Sequence, residues 1–488
     1  MCVKHVPDLQ SDRSLDEDGH LVRGEDDVLN ELDENAVEAA VALGEEHGAE
    51  VVALTVGPDD AVDAVRRALQ MGADSGVHVA DDRIAGSDVV ATAKVLAAAV
   101  RALGAQTPVD LVVTGMATMD GLTSMVPAAL AAALDLPALT LASEMSLEGS
   151  TVTITRSIGD ADERQAAELP LVLSVTDQAN EPRYPNFKAI MAAKKKQVTT
   201  WSLDDLPDAG AAGSDGAPAV GRPAPAPPCG APPRGRRARP GASSPTPGTP
   251  APSSPRTSSR TSLSEAGENM PELDRPLLVV VDHVDGALTA PSAEVLTLAR
   301  SLTTGPVSAV ALETPDTGAL GRYGAGTVYV PELGDLSPTV SAVAAEAVLA
   351  AVRQAGPAAV LLVSSFAGKE LAARLAVALD SGAVVDATGV TVDGGALVAS
   401  KVVLQGTWET TCEVTRGVPV IAVKPTVVEA TAVDGAEAEV VAVPVEFSAS
   451  ARAVRVLSRT EHPRGRAPLG EARASSSAGG VWRATSPS

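Results

Sequence analysis

The chain has 488 residues and a formal net charge of −24 at pH 7, which argues against nucleic acid or an anionic membrane surface as its main partner. Apolar residues make up 45% of the chain but aromatic residues only 2%, so its cores must be built from Ala, Val and Leu. The three cysteines lie far apart, without a CxxC motif or a histidine at metal-ligand spacing, which is typical of a reduced, cytoplasmic protein without a metal site.

Residues 1–204 alternate apolar runs with amphipathic stretches. This alternation predicts right-handed βαβ units on a parallel sheet. The predicted strands are the end of a first strand within 1–7, then 51–56, 77–79, 111–114 and 169–175, and the predicted helices are 34–47, 61–71, 87–103 and one from about 124. The longest apolar run, 125–142, contains two prolines and an aspartate, so it is not expected to span a membrane.

The composition changes near residue 205. Residues 205–274 are dense in Pro, Gly, Ser and Arg, so burial cannot offset their ordering entropy, and they are predicted to form a disordered linker. An α/β pattern resumes over residues 275–445, with apolar strand-like runs at 277–281 and 359–363. Residues 446–488 lack apolar periodicity and are predicted to be a disordered tail.

The two α/β regions repeat one another. The sequence MGADSGVHV at 71–79 parallels YGAGTVYV at 323–330, and DLVVTG with its helix at 110–134 parallels AVLLVSS with its helix at 359–379. Because the whole order of elements recurs, we predict a duplicated domain rather than a short solenoid repeat.

One stretch, NEPRYPNFKAIMAAKKKQ at 180–197, combines turn formers, an aromatic residue and three consecutive lysines. Three unpaired ammonium groups are costly to desolvate, so this is predicted to be a surface loop with an apolar tip at Phe187. Apolar tips of this kind often dock onto partners. The alternative is an ordinary loop whose Phe187 folds back onto its own domain.

The same stretch resembles the partner-recognition loop of the electron transfer flavoprotein beta subunit. The resemblance implies that Phe187 inserts into a pocket on partner dehydrogenases. The implied docking residues are Arg183, Tyr184, Phe187, Ile190, Met191, Lys194 and Lys195.

A second stretch, GMATMDGLTSMV at 115–126, lies between a predicted strand and a predicted helix. Parallel sheets bind ligands at the carboxyl ends of their strands, and hydroxyl groups near a helix N-terminus favour a phosphate. By spacing alone this signal is weak. By resemblance it matches the beta-subunit loop that wraps a buried, structural AMP. The implied AMP-binding residues are Cys2, Asn30, Glu31, Leu32, Asp33, Val56, Gly115, Met116, Ala117, Thr118, Met119, Asp120, Gly121, Leu122, Thr123, Ser124, Met125 and Val126.

The second α/β region resembles the N-terminal domain of the family's alpha subunit, through VVVDHVDGAL at 279–288, the stretch 364–386 and VIAVKP at 420–425. The resemblance implies two pseudo-repeated Rossmann-like domains of the adenine nucleotide alpha hydrolase-like kind, joined by the linker. In the family a further alpha domain carries Gly-Arg-Gly and Gln-Val-Gly-Gln-Thr-Gly motifs and holds most of the FAD. Neither motif occurs here, so that domain is expected to be missing or supplied by a separate flavin domain or alpha subunit.

The resemblance implies an electron carrier rather than an enzyme. Such a protein accepts electrons from acyl-CoA and related dehydrogenases in fatty acid β-oxidation and passes them to a quinone oxidoreductase. Consistent with this, the six histidines are scattered and no catalytic grouping emerges. Two alternatives stay open: an AMP-binding module without redox function, and a non-functional truncated fusion.

Overall fold

The computed structural model describes residues 1–16, 19–24, 26–207 and 273–462, and the backbone of the short segments 236–237, 473–476 and 482–485. Most of the predicted linker, and most of the predicted tail beyond residue 462, therefore lie outside the described residues. We call residues 1–207 the N-terminal half and residues 273–462 the C-terminal half. Within these ranges no helix combines the length and apolar character needed to cross a membrane.

The N-terminal half alternates strands and helices, as predicted. Its strands are β1 (His5–Pro7), β2 (Asp27–Leu29), β3 (Val52–Val56), β4 (Ser75–Val79), β5 (Leu111–Gly115), β6 (Ala138–Ala142), β7 (Glu144–Glu148), β8 (Thr151–Ile158), β9 (Ala161–Glu168), β10 (Leu171–Val175) and β11 (Val198–Trp201). Its helices are α1 (Glu31–His47), α2 (Val62–Met71), α3 (Val89–Gly104), α4 (Val126–Leu134) and α5 (Phe187–Ala193). Single 3₁₀ turns occupy Asp59–Ala61, Asp82–Ile84 and Leu203–Asp205.

Local chemistry sets the ends of these helices. The Asp88 carboxylate accepts a hydrogen bond from Ala91 N at 2.8 Å, so it caps α3. Helix α1 ends at Gly48, whose φ of 68° is a left-handed conformation that glycine adopts without strain.

Two parallel three-stranded sheets form the core of this half, in the orders β11-β4-β3 and β5-β10-β6. The segment 1–3 lies between them, because Val3 N donates to Leu54 O at 2.9 Å and Cys2 N donates to Val113 O at 2.8 Å. The strand order across the core is therefore β11-β4-β3, residues 1–3, then β5-β10-β6.

The C-terminal half follows a two-residue strand, β12 (Arg236–Arg237). Its strands are β13 (Leu277–Val281), β14 (His283–Val284), β15 (Ala287–Leu288), β16 (Val307–Ala311), β17 (Thr327–Pro331), β18 (Ala359–Val363), β19 (Ala383–Asp393), β20 (Ala396–Val403), β21 (Trp408–Glu413), β22 (Val420–Val423), β23 (Glu439–Val443) and β24 (Arg455–Glu461). Its helices are α6 (Ala290–Leu302), α7 (Thr317–Arg322), α8 (Ser341–Ala355), α9 (Phe366–Ala378) and α10 (Ala449–Ala453), and beyond them lies the strand pair β25 (Arg473–Ser476) and β26 (Trp482–Thr485).

The sheet of the C-terminal half repeats the order of the N-terminal one. Its core runs β23-β17-β16-β13-β18-β22-β19, in which β13 takes the central place that residues 1–3 hold in the first half. Strands β4 and β17 occupy matching positions, as do β5 and β18, in agreement with the two repeated sequence pairs. The prediction of two Rossmann-like α/β halves is thus confirmed.

The halves pack directly on one another. Helix α4 contacts α9, and Met125 and Ala128 share one apolar cluster with Leu371 and Leu375. Strand β24 joins the sheet of the N-terminal half as an antiparallel neighbour of β9, giving the order β24-β9-β8-β7.

Strand β24 corrects one expectation. Residues 446–488 were expected to form a disordered tail, but α10 and β24 are ordered elements of this region. The backbone of β24 pairs with β9, and Ala451 and Val454 are buried against the core of the N-terminal half. A polar stretch with no core of its own is ordered here because a distant strand supplies its hydrogen-bond partners.

Candidate functional site

The loop 115–126 follows β5 at the carboxyl edge of the first sheet. A Cβ atom on Gly115 would lie 2.5 Å from Asp33 Oδ1 and 2.7 Å from Leu32 O. Only glycine permits so close an approach. The loop and the start of α1, two segments that the resemblance places around AMP, therefore lie in direct contact.

Asn30 joins these two segments. Its side chain is fully buried; Nδ2 donates to Ala117 O at 3.0 Å and Oδ1 accepts from Met119 N at 2.9 Å. Because both ends of the amide are used, Asn30 fixes the first part of the loop against α1.

Lys4 is part of this arrangement, although neither the sequence pattern nor the resemblance indicated it. Its ammonium pairs with Asp120 Oδ2 at 2.6 Å, and its backbone N–H donates to Asp33 Oδ2 at 2.8 Å. Arg13 Nη1 adds a bond to Met119 O at 3.1 Å. The sequence feature that could have indicated Lys4 is its position directly after the segment 1–3, at the sheet edge where ligands bind.

Several buried polar atoms at this edge have no hydrogen-bond partner among the described residues. They are Thr55 Oγ1, Thr114 Oγ1, Asp120 Oδ1 and both ring nitrogens of His5. Buried polar groups are normally hydrogen-bonded, so a set of them at the end of β3, β5 and the central segment fits a polar ligand. Leu122 and Ser124 have φ of 49° and 53°, and such left-handed turns before a helix can form a nest of N–H groups for an anion.

The remaining predicted AMP residues occupy varied positions. Cys2 is buried in the central segment, where burial raises the pKa of its thiol to about 11, and Val56 ends β3 at the same sheet edge. Met125 is almost fully buried in the apolar cluster shared with the C-terminal half, whereas Leu122 is exposed. Glu31 is exposed and starts α1, and Gly121 is exposed in the loop. Four other loop residues are partly buried: Met116, Thr118, Thr123 and Val126.

Burial raises the pKa of the Asp33 carboxyl to about 7. Between about pH 4 and 7 folded Asp33 keeps a proton that the unfolded chain has released, so the folded state loses stability as the pH rises. We expect the free energy of unfolding of the wild type to fall by about 2–3 kcal/mol relative to Asp33→Asn between pH 5 and pH 8.

Denaturant unfolding of the nucleotide-free protein at both pH values checks this. Asp63→Asn, at an exposed position on α2, is the control and should show no such divergence. Parallel curves for the wild type and Asp33→Asn would show that Asp33 titrates normally.

The loop 180–197 presents apolar side chains to solvent. Tyr184 is 87% exposed, Phe187 is 78% exposed and Met191 is 45% exposed. Phe187 is the first residue of α5, which Asn186 caps by accepting from Ala189 N at 3.0 Å. The side chain of Phe187 therefore does not fold back onto the N-terminal half.

The three lysines of this loop differ from one another. Lys194 and Lys195 are exposed, as expected. Lys196 instead turns inward, and its Nζ donates to Leu69 O at 3.4 Å and Gly72 O at 3.1 Å. It satisfies carbonyl groups left free at the C-terminal end of α2 and so fastens the base of the loop.

Two other predicted docking residues face the protein. Ile190 is partly buried, and the Arg183 guanidinium is bound by carboxylates of α1. A flavin site would also be marked by buried polar atoms that lack a hydrogen-bond partner. The other such side-chain atoms among the described residues belong to Ser87, His283 and Arg374, which lie in separate parts of the fold. They do not converge, so these residues do not by themselves define a flavin site.

The fold and the site define a duplicated, doubly wound α/β protein with a polar loop at the edge of its first sheet. The electron transfer flavoprotein domain family matches residues 18–206 and 277–448. The chain therefore belongs to the electron transfer flavoprotein family, and the predicted recognition is confirmed.

Similar proteins agree with this assignment. The electron transfer flavoprotein subunit beta of Mycobacterium tuberculosis is 43% identical over 211 residues, which cover 42% of this chain and 78% of the relative. The beta subunit of Megasphaera elsdenii is 33% identical over 204 residues, covering 41% and 75%. The caffeyl-CoA reductase-Etf complex subunit CarD of Acetobacterium woodii is 33% identical over 208 residues, covering 42% and 78%. The beta-subunit relatives match the N-terminal part, and the second family match fits a fused alpha N-terminal domain.

Proposed function

We propose that the chain is an electron transfer flavoprotein component that takes electrons from acyl-CoA and related dehydrogenases and passes them on to a quinone oxidoreductase. The observation that carries this proposal is the exposed apolar side chain of Phe187, which projects from a loop fastened at several points. An exposed aromatic on a fixed base is suited to fill a pocket on a partner. Two domains, 1–204 and 275–445, would form the docking body, in the cytoplasm.

We further propose that AMP binds the loop 115–126 as a structural ligand. The Thr55 and Thr114 hydroxyls and Asp120 Oδ1, which have no hydrogen-bond partner among the described residues, and the N-terminal end of α4 offer donors and acceptors to a nucleotide. Asn30 and Lys4 would act by holding the loop in shape.

We expect AMP to be released when the purified protein is denatured, in roughly one copy per chain, because a fully buried ligand dissociates slowly. Mass spectrometry of the released nucleotides checks this. The variant Asn30→Ala should release much less AMP, whereas Gln197→Ala, at an exposed position, should match the wild type. Absence of nucleotide, together with no thermal shift on adding AMP, would contradict the proposal.

FAD is the proposed redox group, on the strength of the family. When bound, it supplies the electron-transfer chemistry that no protein side chain offers. A separate flavin domain or alpha subunit is a proposed partner, since the described residues do not define the flavin site. The described cysteines, Cys2 and Cys412, are unpaired, which supports the proposed reducing compartment.

A further inference from the structure

The proposed docking loop is attached to α1 through Arg183. Arg183 Nε donates to Glu38 Oε2 at 2.7 Å and Nη2 donates to Glu38 Oε1 at 3.0 Å. Nη1 donates to Glu45 Oε1 at 2.7 Å, and Nη2 also donates to Glu45 Oε2 at 3.1 Å. The backbone N–H of Arg183 adds a bond to Glu38 Oε2 at 3.0 Å. Every nitrogen of the guanidinium is thus engaged within the chain.

The two acceptors belong to one face of α1. Glu38 and Glu45 are seven residues apart, which is close to two helical turns, so their side chains point the same way. Asn35 lies on this face too: its Nδ2 donates to Asn180 O at 3.0 Å, and Asn180 Nδ2 donates back to Asn35 O at 3.0 Å. The face therefore holds the loop at both residue 180 and residue 183.

The lowered pKa values of both glutamates agree with a strong pairing to Arg183. Burial raises the pKa of Glu38, but its bonds to Arg183 outweigh that effect and leave the pKa below the ordinary value. The hydrogen bonds from Arg183 likewise lower the pKa of the Glu45 carboxyl. Bidentate arginine–carboxylate pairs fix geometry as well as charge.

A further contact holds the next residue. The Tyr184 ring lies over the Arg67 guanidinium, 5.4 Å from its carbon to the ring centroid, and Arg67 in turn pairs with Glu34 at 3.1 Å. Tyr184 thus stays largely exposed while one face of its ring is supported from α2.

We infer that Glu38 and Glu45 are positioning residues for partner recognition: through Arg183 they set the loop before docking, so that Phe187 is already presented to the dehydrogenase. This inference rests on the proposed function. It changes the role of Arg183, which the family resemblance placed among the residues that touch the partner. Four of the five N–H donors of this guanidinium are engaged on α1, so at most one is left for a second protein.

The expected consequence follows from the population of the docking-ready loop. We call the bonds of Arg183 to Glu38 and Glu45 the clamp. If the clamp is removed, the loop samples other conformations, and the apparent Kd for the partner is the intrinsic Kd divided by the fraction of molecules whose loop is ready to dock. Residues 180–186 contain no helix or strand of their own to hold them. We expect the double variant Glu38→Gln, Glu45→Gln to bind a dehydrogenase about tenfold more weakly than the wild type.

Three variants separate this role from alternatives. Arg183→Lys keeps the charge but loses the planar fork, so it should weaken binding as the double variant does. Glu46→Gln removes one carboxylate charge from an exposed α1 residue next to Glu45 that does not bond Arg183, and it should bind like the wild type. If Arg183 instead contacted the partner by its charge, Arg183→Lys would keep the affinity and the glutamine variants would not lower it.

Two readouts test the inference with the full chain. Hydrogen exchange over residues 180–187, measured without any partner, should become faster in the double variant and in Arg183→Lys only. Affinity for a purified mycobacterial acyl-CoA dehydrogenase, measured by calorimetry, should fall in the same two variants. The triple variant that combines Phe187→Ala with Glu38→Gln and Glu45→Gln should bind as weakly as Phe187→Ala alone and no more weakly. This is expected because the two carboxylates act only by presenting Phe187.

The outcomes distinguish the two proposals. Loss of affinity in Phe187→Ala with unchanged affinity and exchange in the clamp variants would overturn the positioning role and leave the docking function standing. Additive losses would also overturn it, because they would show that the carboxylates act independently of Phe187. No binding by the wild type, or equal binding by Phe187→Ala, would instead overturn the docking function itself.

Discussion

Replacing Glu163 by glutamine is expected to lower the free energy of unfolding by about 2–4 kcal/mol, because it removes the nearer of the two buried carboxylates that pair with Arg156, the other being Glu370. Glu163 has no exposed surface and Arg156 is almost fully buried. Glu163 Oε2 accepts from Arg156 Nη2 at 3.1 Å and from Gln165 Nε2 at 3.0 Å. Few single contacts in the described part of the chain involve two charges so far from solvent.

This ion pair also connects the two halves. Arg156 Nη2 donates to Thr339 O at 2.8 Å, and Arg459 of β24 donates to Glu163 Oε1 at 3.0 Å. Urea unfolding at pH 7 measures the effect. The control is Glu144→Gln, at an exposed position on β7, the strand next to β8. The paired replacement Arg156→Met, Glu163→Leu should recover part of the loss, since it removes both charges of this pair while Arg374 remains a positive charge near Glu370. Equal stability of Glu163→Gln and the wild type would show that the pair contributes nothing.

The pH dependence gives a second check. Burial raises the pKa of Glu163, but Arg156 outweighs burial and holds that pKa below its ordinary value. The stabilisation is therefore complete above about pH 4.5, the pKa of an unfolded glutamate, and it is lost as the pH falls through the lower folded value. The difference between the wild type and Glu163→Gln should shrink in acid.

The central strands could be predicted closely from the sequence. Leu277–Val281 and Ala359–Val363 were assigned with the bounds that β13 and β18 have. Strands inside a parallel sheet are covered on both faces, so they read as continuous apolar runs between turn formers. Helix ends were also close, as for α3, which was predicted over 87–103 and spans Val89–Gly104.

Elements that depend on a distant partner could not be predicted in this way. Strand β24 is mostly polar and exposed, and its order comes from β9, almost three hundred residues earlier in the chain. The fork between Arg183 and Glu38 spans 145 positions in the sequence. No local pattern records such pairings, because each residue type is ordinary for an exposed position until the two segments meet.

The candidate nucleotide site falls between these cases. Its loop at 115–126 follows a recognisable strand, and the family resemblance added the segment 30–33 that the structure places against it. Lys4 and the buried Thr55 and Thr114 hydroxyls were missed, since a lysine or threonine at a strand end carries no distinctive pattern. The carboxyl edge itself is the transferable guide, because polar residues from separate strands converge there.

Replacing Phe187 by alanine is expected to weaken binding to a partner dehydrogenase by about 2–4 kcal/mol, or roughly 30- to 1000-fold in Kd, without changing the stability of the free protein. The ring is 78% exposed, so its removal leaves no cavity in the core. The same ring would be buried on docking, and an aromatic anchor at the centre of an interface contributes much of the binding energy.

Calorimetric titration of the dehydrogenase, together with thermal unfolding of the free variant, measures both effects. Phe366→Ala is the matched control: Phe366 is also exposed and also begins a helix, α9, but it belongs to the C-terminal half. It should leave the affinity unchanged, because the docking loop is intact in that variant. If Phe187→Ala bound the dehydrogenase as tightly as Phe366→Ala does, the loop 180–197 would be ordinary surface structure and the proposed docking role would be wrong.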